Sequence, residues 1–258
     1  MQTEEWKASL KKLQLERYAY NHASACIYFD SATIAPRGST EARSMALGIL
    51  SEKSYHLFVN NETRNLLDEL RSRRTELDEL TLRQVELLSE ELDDLTRIPV
   101  QEYVAYNQLT NEASSAWVDA KEQNEYALFR PYLSKVLAYR KRFAGYKDAT
   151  RPVYDVLLDE HEKGMSMETL DRFFAMLRER LVPLIGAVKD QPIDTSFLRR
   201  PCPIIRQREL SDELMRIMSI DRAHCAIAET EHPFTLSCNK FDVRITTHYH
   251  ENAFLSSL

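Results

Sequence analysis

Residues 231–251 read E-H-P-F-T-L-S-C-N-K-F-D-V-R-I-T-T-H-Y-H-E, and a strict two-residue alternation sets this stretch apart from the rest of the chain. From Phe241 the odd positions carry Phe241, Val243, Ile245, Thr247 and Tyr249, and the even ones Asp242, Arg244, Thr246, His248 and His250. Side chains two apart share one face of a strand, so one face is built for a core while the other gathers a carboxylate, a guanidinium, a hydroxyl and two imidazoles. A solvated outer face is one explanation of that pattern. A plain solvent face draws more on Lys, Glu and Thr, whereas Asp, Arg and His orient one another and grip carboxylates or metals. Both readings stand on these residues alone. A zinc pair of His248 and His250 would leave a tetrahedral site half empty.

Working outward, the chain of 258 residues is long enough to bury a large core, and only 5 of them are Gly. That is about 2% against a usual ~7%, the composition of a helical protein rich in Leu, Glu, Arg and Ala. The net charge of −6 argues against a nucleic-acid partner, which needs a basic stripe. No apolar run reaches the length of a membrane span, and M-Q-T-E-E-W lacks the basic start and apolar middle of a signal peptide. No membrane partner and a cytoplasmic location are therefore expected. Cys26, Cys202, Cys225 and Cys238 have no C-x-x-C spacing and are too sparse for a disulfide framework, so they read as reduced thiols without a chemical role.

Taken in order, Trp6, Leu10, Leu13 and Tyr18 predict a helix from about Glu4 into the low twenties, with a turn over the stretch holding Asp30, Thr33, Pro36 and Gly38. Helices follow over 42–59 and 66–70. The Leu- and Glu-rich segment 75–97 resembles a heptad but is too short for a coiled coil, which favours a helical-hairpin arm. Pro99 suits the first turn of a helix running past Trp117, Pro131 restarts it, Gly164 closes another, and Ser166 caps the next. In that last helix Leu170, Phe174, Leu177, Leu181, Leu184 and Val188 recur at helical spacing, which predicts a buried stripe in which Phe174→Ala costs about 3 to 5 kcal/mol. A final helix over 209–217 leads into a small β region, 219–251. The fold class expected is mostly α: one mainly helical domain over 1–258 with a small β-hairpin or sheet near the C-terminus.

H-P-F at 232–234 followed by D-V-R-I-T-T at 242–247 closely resembles the paired His-Pro-Phe and Asp-x-Arg-x-Thr motifs of the carboxypeptidase Taq family of zinc metallopeptidases. F-D-S-A-T-I-A-P resembles that family's Trp-Asp-x-x-Thr-x-x-Pro segment with Asp30, Thr33 and Pro36 matched. A-W-V-D-A-K-E-Q-N-E-Y-A-L-F-R-P, Y-D-V-L-L-D-E-H-E-K-G-M and L-V-P-L-I follow in the family's order. The resemblance spans effectively the whole chain. Departures are Phe29 for the Trp of the first motif, Glu125 where the family favours Asp, and D-R-A-H-C-A-I-A-E-T-E in place of a Gly-Arg-Leu-Asp pattern.

The resemblance implies the N-terminal half of a zincin-like metallocarboxypeptidase, with peptides as substrates, a homodimer as partner and zinc as the complete protein's cofactor. It implies substrate-side roles for His232, Phe234, Asp242, Arg244 and Thr246, with the polar face of the strand bordering a cleft. For His232 a purely structural role carries equal weight. Family members are longer and bear a His-Glu-x-x-His helix soon after Asp-x-Arg-x-Thr, two imidazoles for zinc and a general base. Here H-E-N-A-F at 250–254 puts Phe254 where the second ligand stands. Neither catalytic nor metal-ligating residues are thus expected in these 258 residues, and no cofactor of their own. The chain is read as the N-terminal part of a longer enzyme, or as an inactive peptide-binding or dimerisation protein of the same fold.

Overall fold

Leucine-rich spans with few glycines or prolines fold as long helices, and the alternating stretch near the C-terminus folds as a small sheet. The computed structural model describes residues 2–192, 194–252 and 254. The helices are α1 (Gln2–Thr33), α2 (Thr40–Phe58), α3 (Asn61–Ser72), α4 (Glu79–Thr96), α5 (Val100–Glu122), α6 (Tyr126–Lys147), α7 (Val153–His161), α8 (Met167–Val188) and α9 (Ile204–Ile217). The strands are β1 (Cys225–Glu229), β2 (Thr235–Asn239) and β3 (Asp242–Thr247). No helix among the described residues is long and apolar enough to cross a membrane. Ala253 and Leu258, near which the family's zinc-binding helix is expected, lie outside the described residues.

The residues group into two compact units, Met1–Tyr139 with Met215–His248, and Arg140–Leu214 with Tyr249–Leu258. The first unit holds the main core, where Leu10 and Leu13 of α1, Phe58 of α2, Leu66, Leu67 and Leu70 of α3, and Val85 and Leu92 of α4 form one buried cluster. The Arg17 guanidinium lies over the Phe58 ring, 3.7 Å from its centroid. Helices α2 and α5 approach closely at Gly48, where a Cβ would sit 2.1 Å from the Gln108 side chain. Buried Asn111 of α5 donates to Ser44 Oγ of α2 at 2.6 Å, which satisfies the polar pair at that contact.

Four sequence expectations need correcting. Helix α1 continues past the low twenties because C-I-Y-F-D-S-A-T offers no breaker, and Thr33 Oγ1 donates back to the Phe29 carbonyl at 2.7 Å. The turn begins only at Ile34. Pro131 sits inside α6 instead of starting a helix. Helix α9 begins at Ile204, ahead of the expected 209. Helix α8 forms as predicted, with Ser166 Oγ accepting the Thr169 N–H, but its apolar stripe is not buried: Phe174 is 51% and Leu184 57% exposed. Periodicity identifies an apolar face; it does not supply an element to cover it.

In the sheet β3 is central, in the order β1-β3-β2. It pairs parallel with β1, Cys225 opposite Val243 and Ile227 opposite Ile245, and antiparallel with β2, Leu236 opposite Arg244. A central strand is covered along both edges, and Thr246 and Thr247, on opposite faces, are both buried. The clean division of β3 into a core face and a solvated face therefore breaks down at its end.

Candidate functional site

Within the first unit a cleft of about 560 Å³ opens between the end of α1, the second half of α5 and the loop joining β1 to β2. Three side chains hold that loop in place. Thr230 Oγ1 donates to the Ala32 carbonyl at the end of α1, 3.0 Å away. Lys121 of α5 reaches the Glu231 carbonyl at 3.2 Å and its Oε1 at 2.8 Å, in place of the helical pairing with Glu125 that four-residue spacing offers. His248, past the end of β3, has Nδ1 3.1 Å from the Thr230 carbonyl.

With the loop fixed, aromatic rings face the cleft. Trp117, one turn before Lys121, meets the His232 ring edge-on, with centroids 6.0 Å apart and planes at 84°. Phe234 packs on Tyr28 at 5.5 Å and, edge-on, on Phe29 at 6.5 Å. The rim is charged. Arg37 bridges Asp119 at 3.0 Å and Glu122 at 2.5 Å, and its hydrogen bond to Glu122 holds that carboxyl below its ordinary range. Arg43 is fixed by neutral oxygens, donating to Ser31 Oγ at 3.0 Å, the Pro36 carbonyl at 3.1 Å, Thr40 Oγ1 at 3.2 Å, and Ser39 Oγ. Ser114 and Ser115 add hydroxyls to the wall. Such a surface offers rings to apolar groups, and hydroxyls and guanidiniums to carbonyl and carboxylate oxygens.

His232 and Phe234 line this cleft, whereas Asp242, Arg244 and Thr246 are not among its lining residues. Asp242 and Arg244 form the charge-assisted pair their spacing predicts, through Arg244 Nε to Oδ1 at 2.5 Å and Nη2 to Oδ2 at 2.9 Å. That hydrogen bonding depresses the Asp242 carboxyl and raises the Arg244 guanidinium. The Arg244 guanidinium also lies 5.4 Å from the centroid of Phe29, behind the aromatic floor. Thr246 Oγ1 accepts the Phe234 N–H at 2.7 Å, so it shapes the loop from below. Sequence reasoning missed Arg37, Arg43, Asp119 and Glu122. Asp119 and Glu122 sit inside one of the quoted segments, but their pairing with Arg37 spans more than 80 positions.

Several of the cleft's ionisable side chains already have partners. Asp119 and Glu122 are committed to Arg37, Glu231 to Lys121, and His232 lies against Trp117. Among the described residues the one group of three or more metal-ligating side chains is His22, Cys26 and Asp242, and none of these lines the cleft.

The family model described as Carboxypeptidase Taq (M32) metallopeptidase matches residues 9–258. Carboxypeptidase 1 of Bacillus subtilis (strain 168) is 35% identical over 242 residues, 93% of this chain and 48% of that protein. Thermostable carboxypeptidase 1 of Thermus thermophilus is 28% identical over 259 residues, 95% of this chain and 51% of its own length. The crystal structure of BsuCP superposes with a TM-score of 0.94 at 34% identity, covering 97% of this chain and 51% of that one. The M32 carboxypeptidase from Deinococcus radiodurans R1 superposes at 0.82 with 27% identity, covering 97% and 50%. The chain thus spans about half the length of the curated relatives it matches.

Proposed function

Because the chain belongs to the carboxypeptidase Taq (M32) metallopeptidase family, we propose that it is the N-terminal portion of a zinc metallocarboxypeptidase and supplies the peptide-binding side of its cleft. One observation carries this reading. Three segments that resemble the family in sequence, around Thr33, Trp117 and His232, lie up to about 200 positions apart in the chain and line one cleft. In this reading Trp117, His232 and Phe234 form its aromatic floor, and Arg37 and Arg43 face the polar groups of a peptide. Asp242, Arg244 and Thr246 act from behind: Thr246 holds Phe234, and the Asp242–Arg244 pair backs Phe29.

Hydrolysis by the metallopeptidase route needs a metal ion on the carbonyl and a base for the attacking water. The 258 residues contain no His-Glu-x-x-His sequence, and Asp119, Glu122 and Glu231 of the cleft are held in ion pairs. The chain by itself is therefore read as binding peptide without cutting it. The test is fluorescence anisotropy of a labelled peptide with a free C-terminus. Saturable binding that weakens in Trp117→Leu and His232→Ala supports the reading. Absent binding, or binding indifferent to both changes, overturns it.

A further inference from the structure

Helix α1 and the β2–β3 hairpin each present two metal-ligating residues four positions apart, and the two pairs meet. His22 and Cys26 are one turn apart, so they share a face of α1. Cys238 and Asp242 flank the tight turn that joins β2 to β3. Ligand atoms of His22, Cys26 and Asp242 all lie within 4.8 Å of one another, and His22 Nε2 is 3.7 Å from Cys26 Sγ. Tetrahedral zinc with its usual bond lengths sets neighbouring ligand atoms about 3.3 to 3.8 Å apart, a spacing that the His22–Cys26 separation already fits. Cys238 is buried beside them. Burial, and then the neighbouring Cys26 thiol and Asp242 carboxylate, push its thiol pKa up.

We propose that His22, Cys26, Cys238 and Asp242 form a site for a soft divalent transition-metal ion, zinc(II) first, that ties α1 to the β2–β3 hairpin. Three features of the surroundings suit it. First, His22 Nδ1 is 3.3 Å from the Cys238 carbonyl. The tautomer that donates there leaves the Nε2 lone pair directed at the cluster, the usual arrangement of a metal-bound imidazole. Asn239 Nδ2, also 3.3 Å from Nδ1, favours the other tautomer, and binding of the ion selects between them. Second, each Asp242 oxygen accepts one hydrogen bond from Arg244 and keeps a lone pair for the ion. Third, the charges balance: two thiolates and one carboxylate offset the dication together with Arg244. Binding releases the two thiol protons to solvent, so affinity rises with pH. None of these ligands lines the cleft, so the ion ties two elements together and takes no part in hydrolysis.

The test is titration of the reduced, metal-stripped 258-residue chain with cobalt(II), which reports thiolate ligation and geometry by its absorption. The expected result is one equivalent, with a thiolate-to-cobalt charge-transfer band in the near ultraviolet and intense tetrahedral bands in the visible. Zinc(II) displaces both sets of bands and raises the thermal midpoint. Cys26→Ser and His22→Gln each reduce the bands and weaken binding at least tenfold, the double variant Cys26→Ser/Cys238→Ser abolishes the charge-transfer band, and Cys202→Ser changes nothing. Far-ultraviolet circular dichroism establishes that each variant is folded. Should folding of the double variant fail, the single variants Cys26→Ser and His22→Gln decide. No charge-transfer band, or one that survives both Cys26→Ser and His22→Gln, overturns the proposal.

Discussion

Thr246 grips Phe234 by its backbone on both sides: its Oγ1 accepts the Phe234 N–H at 2.7 Å and donates to the Phe234 carbonyl at 3.0 Å, while its own N–H reaches the same carbonyl at 2.9 Å. The threonine of D-V-R-I-T and the phenylalanine of H-P-F are thus one structural device. Buried Thr246 leaves the Phe234 N–H unsatisfied if the hydroxyl is removed, so Thr246→Val, which keeps the shape, is expected to cost about 1 to 3 kcal/mol. Urea unfolding measures it. Thr246→Ser should recover most of the loss, and a Val variant within about 0.5 kcal/mol of the parent would show that the clasp contributes nothing.

The contrast between the α1–α4 core and α8 gives a second expectation. Phe58 is 1% exposed in the main cluster, so Phe58→Ala is expected to cost about 3 to 5 kcal/mol. Phe174, half exposed on α8, has much less to lose, and Phe174→Ala should fall at or below about 1 kcal/mol. Paired denaturant curves on the two variants check the order. Equal losses would mean that something covers the α8 face in solution.

Glu160 of α7 gives a pH dependence. Burial pushes its carboxyl up, but the hydrogen bonds from Lys147, 3.0 Å away, and from Arg140 together outweigh burial and hold it below its ordinary 4.5. A carboxyl with a depressed folded pKa contributes stability that is fully present above the unfolded value and lost as pH falls through the folded one. Stability is expected to drop below about pH 4.5, with Glu160→Gln less stable than the parent at pH 6 and showing a shallower acid slope. Parallel slopes for parent and variant would remove Glu160 from the account.

Much of this was legible in the sequence because it rests on local pattern. The two-residue alternation marked β3, the Ser166 cap and the four-and-three spacing marked α8, and two residues between opposite charges marked the Asp242–Arg244 pair. What was not legible depends on partners distant in the chain. Strand β1, C-A-I-A-E, is short and weakly patterned, and its parallel pairing with β3 makes β3 central instead of an outer strand. The α1 helix outran its apolar stripe because nothing in its sequence stops it before Pro36. The cysteines read as inert because Cys26 and Cys238 are 212 positions apart, and only folding sets His22 beside Cys238. The rim pairing of Arg37 with Asp119 and Glu122 was hidden for the same reason.

The central claim, that these residues supply the cleft wall but not the chemistry of a metallocarboxypeptidase, is tested most directly by one assay. The purified chain is incubated with a peptide carrying a free C-terminus, in added zinc or cobalt, at a concentration where anisotropy shows the peptide bound, and released amino acid is measured against time. The expected result is bound peptide and no release above a chain-free control. Release that scales with the concentration of the chain and is lost in His232→Ala would contradict the account and place a complete catalytic site within these 258 residues.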